Sequence, residues 1–330
     1  MRLAPIALLG LTAVLGPPAA AGVADGAPQL SLPIACEIGR TCEVQTYVDR
    51  DPGPGVLDYH CGHRTNQDHN GIDIRILNMA AQRAGVAVLA AAPGRVARLR
   101  DGEADISIRA PGAPSIVGKL CGNGVVIDHG GGWETQYCHL ARGSLKVKIG
   151  DKVNAGQPIA RVGLSGDTEF PHVHFTIRHN GQIVDPFAPG PVAAGACPAQ
   201  AGLWTPQAAK ALTYKRGAVL NVGFGTAVAP MEAVEEASVA PPAGDPPAIV
   251  AYARLINLEA GDVIELKLTG PDGKVLADGN QPMDRDKAEY LSQAGRKRPT
   301  GGWTHGAYLA EVFVHRGGAV ALARQWRMAL

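Results

Sequence analysis

A chain of 330 residues is long enough for two domains of ordinary size, each with its own core. Its 31 basic and 30 acidic side chains leave a formal net charge of +1, which removes any global electrostatic reason to expect nucleic acid or an anionic membrane surface as partner. Six cysteines without a CxxC pair point to disulfides in an oxidising compartment and away from a cysteine zinc site.

The start reads as an export signal over residues 1–21. Arg2 gives a minimal positive region, Leu3 to Leu15 an apolar stretch, and Ala19-Ala20-Ala21 a small-residue cleavage site. The apolar stretch is short for a membrane span, and no later segment approaches the roughly 20 apolar residues a span needs. The expected mature chain is therefore exported, periplasmic or extracellular, and carries no span. A polar, Pro-rich N-terminal segment follows over 22–48. Six cysteines admit many pairings, and the sequence does not choose among them. Cys36 and Cys42 are close enough to close a small loop, and Cys121 and Cys138 flank a predicted hairpin, which leaves Cys61 with Cys197.

Asp49 to Gly55 reads as irregular chain. Between Tyr59 and Asp73 stand His60, His63 and His69, of which only His69 has a carboxylate at a matching distance, Asp73, across an Asn70-Gly71 turn signal. His60 and His63 read as polar loop residues, and Arg75 as a surface or ion-paired arginine. Ile76 to Arg83 makes one helical turn or a loop. Val86 to Ala90 and Arg95 to Leu99 read as short strands around Pro93-Gly94, and Gly150 to Val162 faintly echoes that pattern. Gly124 to Asp128 and Trp133 to Leu140 form a hairpin across three glycines, with His129 solvated at its turn and His139 on its second strand. Phe170 to Arg178 alternates strictly. On a strand this sends His172 and His174 to one face and Val173 to the other. His179 precedes the Asn180-Gly181 turn and reads as a surface residue.

Residues 191–201, rich in Ala, Gly and Pro, read as a linker. Beyond it Ala218 to Phe224, Ile249 to Leu255, Val263 to Leu268, Ala307 to His315 and Ala319 to Trp326 are strand candidates, with 226–247 as a long surface loop. Short strands with turn signals favour a smaller immunoglobulin-like β-sandwich over 202–330. This half carries no chemical constellation, and Trp133, Trp303 and Trp326 read as core residues.

Two neutral imidazoles with one carboxylate form a catalytic zinc set that leaves the fourth position for water. Here HxxxD at His69 and Asp73, the isolated His139 and the HxH of His172 and His174 supply its parts. Taken together, these motifs resemble those of the lysostaphin-type, LytM-like zinc endopeptidases of bacterial cell walls. The likeness runs from about Tyr59 to Pro186 and includes GVAVLAAAPG, VKIGDKVNAGQPIARVG and NGQIVDP. It implies a mainly β fold, a duplicated-hairpin β-sandwich peptidase domain of barrel-sandwich-hybrid type over 49–190. It implies one zinc ion per chain on His69, Asp73 and His174, with His139 and His172 as catalytic, non-ligand histidines, and peptidoglycan peptides as substrate. No HExxH occurs, so the glutamate-base arrangement of thermolysin is absent, and a facial triad for ferrous iron fits the surrounding motifs less well. The competing expectation is a non-catalytic regulator of another wall hydrolase.

Overall fold

The structure is a computed structural model that describes residues 26–190 and 202–330. The expected signal segment, the 191–201 linker and Cys197 lie outside the described residues. The first half contains β1 (Cys42–Thr46), β2 (Ile72–Ile76), α1 (Met79–Ala84), β3 (Ala87–Leu89), β4 (Gly94–Arg100) and β5 (Asn123–Gly130). It continues through β6 (Trp133–Leu140), β7 (Lys152–Val153), β8 (Pro158–Arg161), β9 (His172–His179) and β10 (Gln182–Val184). One antiparallel sheet runs β1-β2-β9-β6-β5-β4-β7, with β10 paired to β9. The two segments that echo each other in sequence are paired crosswise, β3 with β8 and β4 with β7, so the repeat is built into the sheet edges.

Alternation decides which face each strand buries. On β2, Ile72, Ile74 and Ile76 enter the core, and on β9 Val173, Phe175 and Ile177 join them, all at most 1% exposed. The opposite faces therefore carry Asp73 and Arg75, and His172, His174, Thr176 and Arg178. Burying apolar area here is worth about 25 cal/mol per Å², which pins the register that aligns Asp73 with His174 across β2 and β9.

The second half holds α2 (Pro206–Ala211), β11 (Ala218–Gly225), α3 (Met231–Glu235), β12 (Ala248–Leu258) and β13 (Val263–Thr269). It closes with β14 (Val275–Pro282), β15 (Lys287–Lys297), β16 (Ala307–Arg316) and β17 (Ala319–Ala329). A three-stranded sheet, β11-β12-β15, faces a four-stranded one, β14-β13-β16-β17, across Leu255, Ile264, Leu266 and Val312. The fold is mainly β in both halves, as read from sequence. The expected loop over 226–247 is corrected in part, since it contains α3, and β14 and β15 are strands that the apolar pattern does not announce. Trp204, Ala208 and Leu212, after the linker, pack into the first half's core.

Candidate metal centre

Strands β2, β6 and β9, with His69 from the loop before β2, bring the motif residues together in a cleft of about 1300 Å³. His69 Nε2 lies 3.1 Å from Asp73 Oδ2, and His174 Nδ1 lies 2.8 Å from Asp73 Oδ1. The donor atoms of these three residues all fall within 4.8 Å of one another. His172 Nε2 is 3.4 Å from Asp73 Oδ1, and the His139 and His172 rings stand 4.6 Å apart between centroids.

Each imidazole is oriented by an acceptor behind it. A carbonyl oxygen can only accept, so the nitrogen facing it carries the proton and the other nitrogen presents its lone pair. His69 Nδ1–H donates to Tyr47 O at 2.7 Å, His139 Nδ1–H to Ser165 O at 2.7 Å and His172 Nδ1–H to Phe170 O at 2.9 Å. His174 is turned the other way, with Nε2 toward Asn70 Oδ1 at 3.0 Å and Thr176 Oγ1 at 3.0 Å, which leaves Nδ1 for the shared space. Such outer contacts fix ligand tautomers in metal sites. Gly71 has to be glycine for this: a Cβ there would stand 2.7 Å from both His174 Nε2 and the Phe175 carbonyl oxygen.

His139 reaches the cleft by a backbone irregularity. Simple alternation would send it to the core beside Tyr137, but His139 has φ +59°, and the β5–β6 register slips between Asn123 and Val125. Cys138 and His139 consequently both line the cleft. Burial, joined by the charges of His172 and His174, pushes the His139 imidazole well below its usual value, so it is neutral near pH 7. Burial also lowers His174; at His69 burial pulls the same way, but the charge of and hydrogen bond to Asp73, with the Tyr47 carbonyl and the Asp49 charge, together outweigh it and raise the imidazole. Asp73 is buried, yet the surrounding imidazoles hold its carboxyl well below the usual range.

The donor set fits a small divalent cation. Two imidazole lone pairs and a carboxylate are aimed at one another, and only a proton or a metal ion between them makes that arrangement favourable. The 2.8 and 3.1 Å separations are near the ~3.4 Å edge of a tetrahedron with bonds of about 2.1 Å. These three residues hold donors for a metal; His139 and His172 are not among them, although His172 Nε2 stands against the Asp73 carboxylate.

The other predicted residues fall elsewhere. His60 stacks on Tyr214, with ring centroids 4.3 Å apart, and His63 meets Asp286 at 3.3 Å on the surface. His179 stacks on Trp133. His129 differs from a solvated turn residue: it is half-buried and bonded at both nitrogens, to Pro93 O and Thr135 Oγ1. Arg75 is ion-paired but fully buried, with its partners in the second half. Disulfides join Cys36 to Cys42 and Cys121 to Cys138, and Cys61 is also disulfide-bonded. Thr168, Tyr47 and Ser165, which support the imidazoles, carry no sequence signal, because they act through hydrogen bonds made only in the folded chain.

Residues 67–186 match the model of peptidase family M23, so the lysostaphin-type resemblance holds over this segment. Among curated proteins, the chain is 45% identical over 62 residues to the murein hydrolase activator EnvC of Escherichia coli, covering 19% of this chain and 14% of EnvC. It is 43% identical over 67 residues to the peptidoglycan DD-endopeptidase ShyA of Vibrio cholerae, again 19% and 14%. With the DD-carboxypeptidase/endopeptidase Mpg of Neisseria meningitidis it shares 42% identity over 65 residues, 20% of this chain and 14% of Mpg. The aligned stretch thus spans about one seventh of the length of these relatives. Among solved structures, the catalytic domain of the prophage-encoded M23 protein EnpA from Enterococcus faecalis overlaps 49% of this chain and 95% of its own, with 24% identity and a TM-score of 0.31.

Proposed function

We propose that this protein is an exported zinc endopeptidase that hydrolyses peptide bonds in the cross-links or stems of bacterial peptidoglycan. The observation that carries the reading is the convergence of His69 Nε2, the Asp73 carboxylate and His174 Nδ1, with two further imidazoles beside them. These three residues hold one zinc ion in this reading. When bound, zinc polarises a peptide carbonyl and lowers the pKa of a water toward 7.

The chain's own residues supply the proton handling. His139 and His172 each present an Nε2 lone pair to the cleft, because Ser165 O and Phe170 O hold the protons on Nδ1. Each is in reach of a proton at the floor, taking it from the attacking water and returning it to the leaving amine. Asp73, kept ionised, offsets charge that gathers on neighbouring imidazoles. Disulfides and the signal-like 1–21 segment support export; among the described residues no helix is long and apolar enough to cross a membrane.

A second reading, activation of another wall hydrolase without chemistry of its own, is favoured by the name of one relative, the activator EnvC. Muropeptide mass spectrometry and the release of new amino groups from purified sacculi separate the two. The peptidase reading expects cleavage that a chelator abolishes and that His69→Ala and His172→Ala each lower by at least about 100-fold. Wild-type protein that holds zinc and cleaves nothing supports the activator.

A further inference from the structure

Opposite the core, Asp73 and Arg75 leave the same face of β2, and the second half of the chain covers Arg75 completely. Arg75 is fully buried and its guanidinium is held from three sides. Nη2 donates to Glu235 at 3.0 Å, and Nη1 donates to Glu289 at 3.0 Å and to Gln45 Oε1 at 3.1 Å. Arg254, also fully buried, shares both carboxylates and reaches back to the Leu77 carbonyl. Two arginines and two glutamates thus make a neutral quartet across the two halves, its guanidiniums buried and its carboxylates 18% and 27% exposed, a geometry in which each guanidinium is costly without its carboxylates. Gln45 Nε2 to Ala288 O and Asn257 Nδ2 to Gln45 O, at 3.0 and 2.9 Å, extend the same seam.

The quartet also touches the site. The Arg75 guanidinium lies over the Phe170 ring, 4.1 Å from its centroid, and that ring lies 4.9 Å from the His172 ring. Phe170 also contributes the carbonyl that accepts the His172 Nδ1 proton, and Thr168 Oγ1–H donates to the same oxygen at 2.7 Å. Phe170 is only half-buried and lines the cleft, so packing against the core does not by itself fix it. A planar cation over its face does.

We propose that Arg75 is a positioning residue through which the second half seats His172: Glu235 and Glu289 lock Arg75, Arg75 holds Phe170, and the Phe170 carbonyl keeps the proton on Nδ1 of His172. This deepens the peptidase reading and rests on it for its catalytic consequence. The second half is then part of the reacting site, in addition to any role in binding the wall.

The test uses the full chain with Phe170→Leu, which leaves the charged quartet intact, and Arg75→Lys, which keeps the charge but loses the planar face. Long-range ¹⁵N spectra of the imidazoles report the His172 tautomer with or without metal, and steady-state kinetics on a cross-linked muropeptide report kcat and KM. The expected result is a mixed His172 tautomer in both variants. It is accompanied by a kcat about 10–100-fold lower, the usual cost of losing an outer contact, with KM within about threefold and zinc content unchanged. Folded Phe170→Leu protein with a wild-type His172 tautomer, or with kcat within twofold of wild type, overturns the proposal. If the wild-type chain cleaves no peptide, the peptidase reading fails while the spectra still decide whether Arg75 and Phe170 seat His172.

Discussion

Asp185 has its carboxyl pushed up to about 6, because burial outweighs the help of the Phe187 N–H and of Arg50, 3.2 Å away. Arg50 is also bonded to the carbonyls of Ala188 and Gly190, so it keeps partners when Asp185 is neutral. The folded value lies above the 3.8 of the free side chain, so folding takes up a proton. Stability from this group is fully present below pH about 4 and is lost as pH rises to about 6, a change of about 3 kcal/mol for roughly two units. Urea midpoints at pH 4, 5.5 and 7 check this: the stability of wild type relative to Asp185→Asn falls by about that amount over the range. A difference that stays flat would show that Arg50 compensates the charge fully.

At the scale of elements, β9 and β2 were readable because strict alternation and the HxH and HxxxD spacings state which side chains share a face. β6 is readable over its whole range, Trp133–Leu140, but alternation gives the face of its side chains only as far as Tyr137. The left-handed residue at His139 moves its imidazole to the opposite face, and no local pattern in Tyr137-Cys138-His139 announces that turn. β15 was missed for a different reason: its sequence, KAEYLSQAGRK, spends its polar side chains on an interface that alternation rules treat as solvent. The Cys121–Cys138 bridge spans the irregular part of β6, one residue before His139. A crosslink closing a 17-residue separation constrains the unfolded chain by about 3 kcal/mol. The double variant Cys121→Ser/Cys138→Ser should lose about that much in denaturant titration. It should also lose activity by a larger factor than its folded fraction explains, because the strand carrying His139 is freed. Activity that tracks the folded fraction alone would limit the bridge to stability.

For the whole molecule, the decisive feature is that the two halves meet through a charged seam set beside apolar packing of Leu77 on Ala218, Leu220 and Ile256. Glu235 and Glu289 are 160 and 214 residues from Arg75 in the chain, a distance over which no sequence pattern operates, so Arg75 reads from sequence as a surface or ion-paired arginine, and neither its burial nor its partners are legible there. The seam differs from a surface contact. Arg83–Glu236, 2.9 Å long with side chains 55% and 53% exposed, belongs to the class worth about 0–1 kcal/mol. Arg75 and Arg254 have side chains 1% and 0% exposed, and removing one partner from such a pair leaves a buried charge, at about 3–5 kcal/mol. Wild-type protein should therefore unfold as one calorimetric unit. Glu235→Gln should divide the trace into two transitions while Arg83→Ala leaves it single. Two transitions in wild type would mean that the seam is too weak to couple the halves, and that the site in β2, β6 and β9 stands without support from β12 and β15.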